Sequence, residues 1–133
     1  NEKRVLLLIS DGEDNASKAE LEVLVRELQE AGSSQTSIYA IGLLTEEEKR
    51  SAKRAERAIK YLTRATGGPA YFPATVDEVT ALMTQIAADI RNQYTIAYSP
   101  ATVAGAGFRE IAIDLVGTDK RNTVRHRPGY FGE

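Results

Sequence analysis

RVLLLISDGEDN, residues 4 to 15, decides how this chain is read. Five apolar residues, Val5 to Ile9, run unbroken into Ser10, Asp11, Gly12, Glu13, Asp14 and Asn15. An apolar run that does not alternate belongs to a strand buried on both faces, as in a parallel sheet covered by helices on each side. The acids after it stand where open parallel sheets bind ligands, beyond the carboxyl ends of the strands. Gly12 permits a sharp turn beside Asp11. Crowded carboxylates repel one another, and a hard cation relieves that by oxygen coordination. Asp, Gly, Asn and Ser are equally the residues of an ordinary polar turn, so the motif alone leaves both readings open.

Outward from this stretch the chain alternates helix and strand. Ser17 and Glu20 form a capping box, followed by an apolar stripe of Leu21, Leu24, Val25 and Leu28 and a stop at Gly32. SIYAIGL, residues 37 to 43, reads as a second central strand. Thr45 and Glu48 open a second helix, with Glu46 to Arg50 and Glu56 to Lys60 as i,i+4 pairs. Its lean stripe of Ala55, Ala58, Ile59, Leu62 and Ala65 suits a helix lying over a sheet face, and Gly67 and Gly68 end it. Residues 70 to 72 are a short third strand stopped by Pro73. Thr75 and Glu78 cap a third helix, with Val79, Leu82, Met83, Ile86 and Ile90 as its buried face. Strand, helix, strand, helix, strand, helix predicts an α/β fold with a Rossmann-like parallel sheet and covering helices.

After Asn92 the pattern changes. YTIAYS (94–99), REIAIDLVG (109–117) and TVRHR (123–127) alternate with period two, which predicts a C-terminal antiparallel β-meander with one wet face. Tyr94 and Tyr98 share a face and are expected to pack on a helix. The segment 101–107 is too short to separate domains, so residues 1–133 read as a single domain: 1–92 the α/β part, 93–133 its meander extension.

The composition narrows the function classes. The chain has 133 residues, 42% hydrophobic and 27% charged, with net charge −2. That balance gives no general attraction to nucleic acid or to anionic membranes. Without cysteine there is no disulfide framework and no thiol chemistry. No apolar run approaches the roughly 18 residues of a membrane helix.

RVLLLISDGEDN, a capped helix and SIYAIGL together resemble the second half of a von Willebrand factor A domain. LTRATGGPAYFPAT, a helix ending ADIRNQYTIAYSP, and TVRHRPGYF are similar to the bacterial VWFA-related proteins first grouped from acidobacteria. The resemblance implies a partial von Willebrand factor A fold and a metal-ion-dependent adhesion site built from three loops. Such a site holds Mg²⁺ or a similar divalent ion, whose shell a carboxylate of a partner protein completes. Asp11 falls on the third-loop aspartate. The first-loop D-x-S-x-S and the second-loop threonine have no counterpart here. The resemblance therefore implies the C-terminal portion of a longer protein, an incomplete site at Asp11 and no bound ion in this portion by itself. It also implies export from the cytoplasm.

The expected function is a noncatalytic protein-interaction module with a protein ligand, no catalytic residues and no cofactor-binding residues. Loss of the preceding strands would leave strand 4–10 as an apolar edge. A homodimer through that strand, or by element swapping, is the expected way to cover it. The rival is a Mg²⁺-dependent phosphoryl-transfer or hydrolase-type α/β enzyme using the same acidic turn. That enzyme needs a second acidic loop, a lysine or a nucleophile in the crevice. His126 lacks an evident catalytic partner. Lys120, Arg121, Arg125 and Arg127 read as a solvated basic strand face.

Overall fold

The second apolar run, β2 (Thr36–Gly42), is the middle strand of a three-stranded parallel sheet in a computed structural model that describes residues 4–11, 18–30, 36–44, 49–100, 107–117 and 122–132. β1 (Arg4–Ser10) lies on one side, in register from Arg4 opposite Thr36 to Ser10 opposite Gly42. β3 (Ala70–Tyr71) lies on the other, pairing at Ala40–Ala70 and Ile41–Tyr71. The order β1-β2-β3 follows the chain, and helices α1 (Lys18–Gln29), α2 (Lys49–Thr66) and α3 (Val76–Arg91) alternate with the strands. The expected α/β architecture is present.

Side chains alternate across a strand, so β2 supplies two cores. Ile38 packs with Val25 of α1 and with Leu62 and Ala65 of α2, with Leu8, Leu21 and Leu28 around them. Tyr39 and Ile41 pack with Ile86 of α3, beside Val5, Leu7, Tyr71 and Val79. Helices thus cover both faces, as the non-alternating strands require. Two stripe residues fall off the buried faces: Leu24 is 43% and Met83 40% exposed.

The helix ends show why the segments stop where they do. Thr75 caps α3, its hydroxyl accepting from the Glu78 N–H, while the Glu78 carboxylate accepts from the Ala74 N–H at 2.9 Å. At the end of α2, Gly67 takes φ +79°, its N–H bonds Arg64 O, and the Gly68 N–H bonds Thr63 O at 2.9 Å. This is a Schellman closure, which needs a residue tolerant of positive φ. Gly68 is required for space: a Cβ there would lie 1.9 Å from Ile38 O. The expected caps at Ser17, Thr45 and Glu48, the Glu46–Arg50 pair and the stop at Gly32 lie outside the described residues.

The C-terminal meander needs correction. The antiparallel structure is a two-stranded ribbon, β4 (Gly107–Glu110) with β5 (Gly129–Gly132). One further bond, Ile111 N–H to Pro128 O at 2.8 Å, extends it. Residues 94–99, most of 109–117 and 123–127 are not strands. Tyr94 does not pack on a helix; it is 96% exposed, and Ile96 is 71% exposed. Alternation gives a segment two faces, but a strand exists only where an edge accepts its backbone bonds. The ribbon meets the body at the end of α1: Phe131 bridges Glu30, and the Arg26 guanidinium sits 5.2 Å from the Phe131 ring centroid.

Candidate functional site

Parallel pairing in register brings three strand ends to one rim. Leu43 N–H bonds Ser10 O at 2.8 Å, carrying the β1–β2 ladder one step past Gly42 and fixing where Asp11 leaves the sheet. Asp11 is exposed there. Leu43 and Leu44 follow β2, and Phe72 to Thr75 lead from β3 into α3. Strands lie about 4.8 Å apart, so the ends of β1 and β3 are about 10 Å apart across the rim. Gly42 gives the rim its floor: a Cβ at that position would meet the Phe72 ring at 2.7 Å.

The rim's chemistry is that of oxygen donors at strand and helix ends. Asp11 offers a carboxylate at the end of β1. Across the rim stands the Thr75 hydroxyl, occupied as the α3 cap. Glu78 is likewise engaged, by Ala74 N–H. Glu13, Asp14 and Asn15 lie outside the described residues. Among the described residues, no group of three or more His, Asp or Glu side chains could together hold a metal ion. Among these residues Asp11 stands as a single exposed carboxylate at the end of β1.

A second polar cluster, absent from the sequence reading, sits on the α3 face away from the α3 cap. Asp89 accepts from Arg125 Nη2 at 2.6 Å and from the Tyr71 hydroxyl at 3.5 Å. Gln93 Nε2 donates to the buried Tyr39 hydroxyl at 2.6 Å. Burial pushes the Tyr71 hydroxyl above its ordinary range; the nearby Asp89 carboxylate adds to the rise and Arg125 opposes it. A carboxylate three residues after Ile86, beside the apolar stripe of α3, was the available signal.

Two of the basic C-terminal residues make specific contacts: Arg125 from an exposed position and Arg127 from a partly buried one. Arg125 holds Asp89, and Arg127 donates to Leu28 O at the last turn of α1. A guanidinium there meets carbonyls that the helix leaves without an internal partner. Burial lowers the Arg127 pKa from its ordinary value. His126 Nδ1 lies 2.8 Å from Arg127 O, a local contact without a nucleophile. Lys120 and Arg121 lie outside the described residues.

On the ribbon, Tyr130 accepts from the Tyr98 hydroxyl, which holds Tyr130 below its usual range with help from Arg109; the same bond pushes Tyr98 up. Among the described residues no helix is long and apolar enough to cross a membrane. No family model, curated protein or solved structure matches this chain.

Proposed function

We propose that this chain is the C-terminal half of a von Willebrand factor A-type interaction domain, in which Asp11 supplies one oxygen ligand to a divalent cation. The observation that supports the reading best is topological. A doubly wound sheet runs outward from a switch point, each half adding strands in chain order, and ligands bind at the carboxyl rim beside that point. Here the strands run β1-β2-β3 in chain order. Among the described residues β1 has one neighbour, β2, and Asp11 stands at its carboxyl end. The open flank of β1 is where the opposite half of such a sheet would begin.

Mg²⁺ takes few protein carboxylates and retains waters, so a single aspartate from this half suits a site completed by two upstream loops and a partner's carboxylate. The cation then serves as the binding link, and no residue of this half needs to accept a proton or attack a bond. The partner is a protein that presents an acidic side chain, and the same cation links both.

The reading is tested on the longer polypeptide. Codons upstream of Asn1 are expected to encode D-x-S-x-S after a strand. In thermal-shift titrations of that polypeptide, Mg²⁺ and Mn²⁺ raise the melting temperature, and Asp11→Ala removes the rise. A rise that requires added phosphate would instead favour the Mg²⁺-dependent enzyme.

A further inference from the structure

Helix α2 concentrates positive charge in a chain that is acidic elsewhere. It holds seven of the 17 basic residues and one of the 19 acidic ones, so it carries +6 while the rest of the chain carries −8. The distribution around the helix is ordered. Arg50, Arg54, Arg57, Tyr61 and Arg64 recur at steps of three or four residues and form one stripe. All five are exposed. The stripe is about 21 Å long at 1.5 Å per residue. Ile59, Leu62 and Ala65 point the other way into the sheet. Lys53 and Lys60 flank the stripe; Lys60 pairs with Glu56, the helix's only acid. Among the described residues no carboxylate lies within ion-pair distance of the four arginines; Glu46, expected to pair with Arg50, lies outside them.

We propose that the outer face of α2 docks an acidic polypeptide segment whose carboxylates, at helical spacing, meet Arg50, Arg54, Arg57 and Arg64. Guanidinium groups form a planar fork that matches carboxylates in pairs. A helix with Glu or Asp at i, i+4 and i+7 repeats the same rises as the stripe. Tyr61 sits between Arg57 and Arg64 and is 45% exposed, giving the charged stripe an apolar anchor. Arg and Tyr are residue types that concentrate energy at protein interfaces.

Charge and packing select this occupant over the other polyanions. A membrane-surface helix inserts its apolar face between lipids, and here that face is committed to the sheet. A nucleic acid extends its charge well past 21 Å and would meet the −8 remainder of the chain, where repulsion acts over about 8 to 10 Å at physiological salt. A short acidic segment confined to the stripe avoids both penalties. The stripe does not include Asp11, and the proposal does not depend on it.

The test is fluorescence anisotropy with a labelled 18-residue peptide carrying Glu at i, i+4 and i+7 on an alanine background. The comparison probes are a single-stranded oligonucleotide of equal charge and phosphatidylserine vesicles. Arg50, Arg54, Arg57 and Arg64 are replaced together by Gln, which keeps helix propensity. Circular dichroism and melting check that the variant folds, and single Arg→Gln variants replace it if it does not. Peptide binding that weakens with salt, falls at least tenfold in the variant and persists in Asp11→Ala supports the proposal. Equal binding by the variant, no peptide binding at low salt, or tighter capture by the oligonucleotide or the vesicles overturns it.

Discussion

The open flank of β1 makes a prediction about the 133-residue chain in isolation. Leu6 is 52% and Ile9 53% exposed on this strand, which carries no proline and no charge between Val5 and Ile9. Such an edge recruits another strand. A twofold pair of antiparallel β1 strands keeps each sheet face continuous only if opposed residues share a face. A register centred on Leu7 satisfies this, placing Val5 opposite Ile9, Leu6 opposite Leu8 and Arg4 opposite Ser10. Full burial of Leu or Ile is worth about 1.5–3 kcal/mol, so covering the exposed half gains about 0.8–1.5 kcal/mol per side chain. Four side chains in the pair give about 3–6 kcal/mol, and each ladder hydrogen bond adds about 0.5–1.5 kcal/mol. Association costs about 4–15 kcal/mol, so the dimer is weak and concentration-dependent. Leu6→Lys with Ile9→Lys removes the apolar gain and should weaken dimerisation by about a hundredfold or more. Light scattering and small-angle X-ray scattering over a concentration series measure it. A compact monomer at the highest concentration, or unchanged association in the double variant, refutes edge pairing. In a longer polypeptide with a strand beside β1 the same experiment should show no dimer.

Three further predictions concern stability and its dependence on pH. Gly68→Ala forces a Cβ to within 1.9 Å of Ile38 O, so it should cost at least the 1–3 kcal/mol typical of overpacking, whereas Gly107→Ala, with nothing within 4 Å, should leave the urea midpoint nearly unchanged. Thr66→Val removes the hydroxyl that accepts from the buried Ile38 N–H at 3.1 Å and should lower chemical stability by about 1–3 kcal/mol; wild-type stability in the variant would contradict the assignment. Tyr71 has a folded pKa above its unfolded value, so its contribution is complete below about pH 10 and is lost as pH rises through the folded pKa. Urea titrations from pH 9 to 11 should show a decline that Tyr71→Phe reduces, and an identical decline in both proteins would argue against it.

Local signals carried most of the fold. The capped start of α3 and the glycine stop of α2 depend on residues within one turn of each other, so Thr75, Glu78, Gly67 and Gly68 were readable directly. The unbroken apolar run of β2 likewise announced a strand covered on both faces. What failed was non-local. Tyr94, Ile96 and Tyr98 alternate as a strand does, yet strand formation depends on a partner edge that no local pattern specifies. The ribbon that does form is bounded by Gly107, Gly129 and Gly132, and alternation anticipated only Arg109 and Glu110 of it. Gly129 fits because a Cβ there would lie 2.3 Å from Arg109 O. The specific contacts of the exposed Arg125 and the partly buried Arg127 had no local signal, because their partners, Asp89 and Leu28, are 36 and 99 residues away. Asp11 was legible as the end of a strand; the donors that would join it were not, since they are expected from other loops.

Cation affinity at the carboxyl rim is open to direct measurement in the chain as it stands, because paramagnetic broadening registers even weak, transient binding. Substoichiometric Mn²⁺ added to the ¹⁵N-labelled protein should broaden the amides of Ser10, Asp11, Leu43 and Leu44 first, and Asp11→Ala should remove that pattern. Broadening that begins instead around Asp89 or Glu56, or that persists at the rim in Asp11→Ala, would contradict the assignment of Asp11 as a metal ligand.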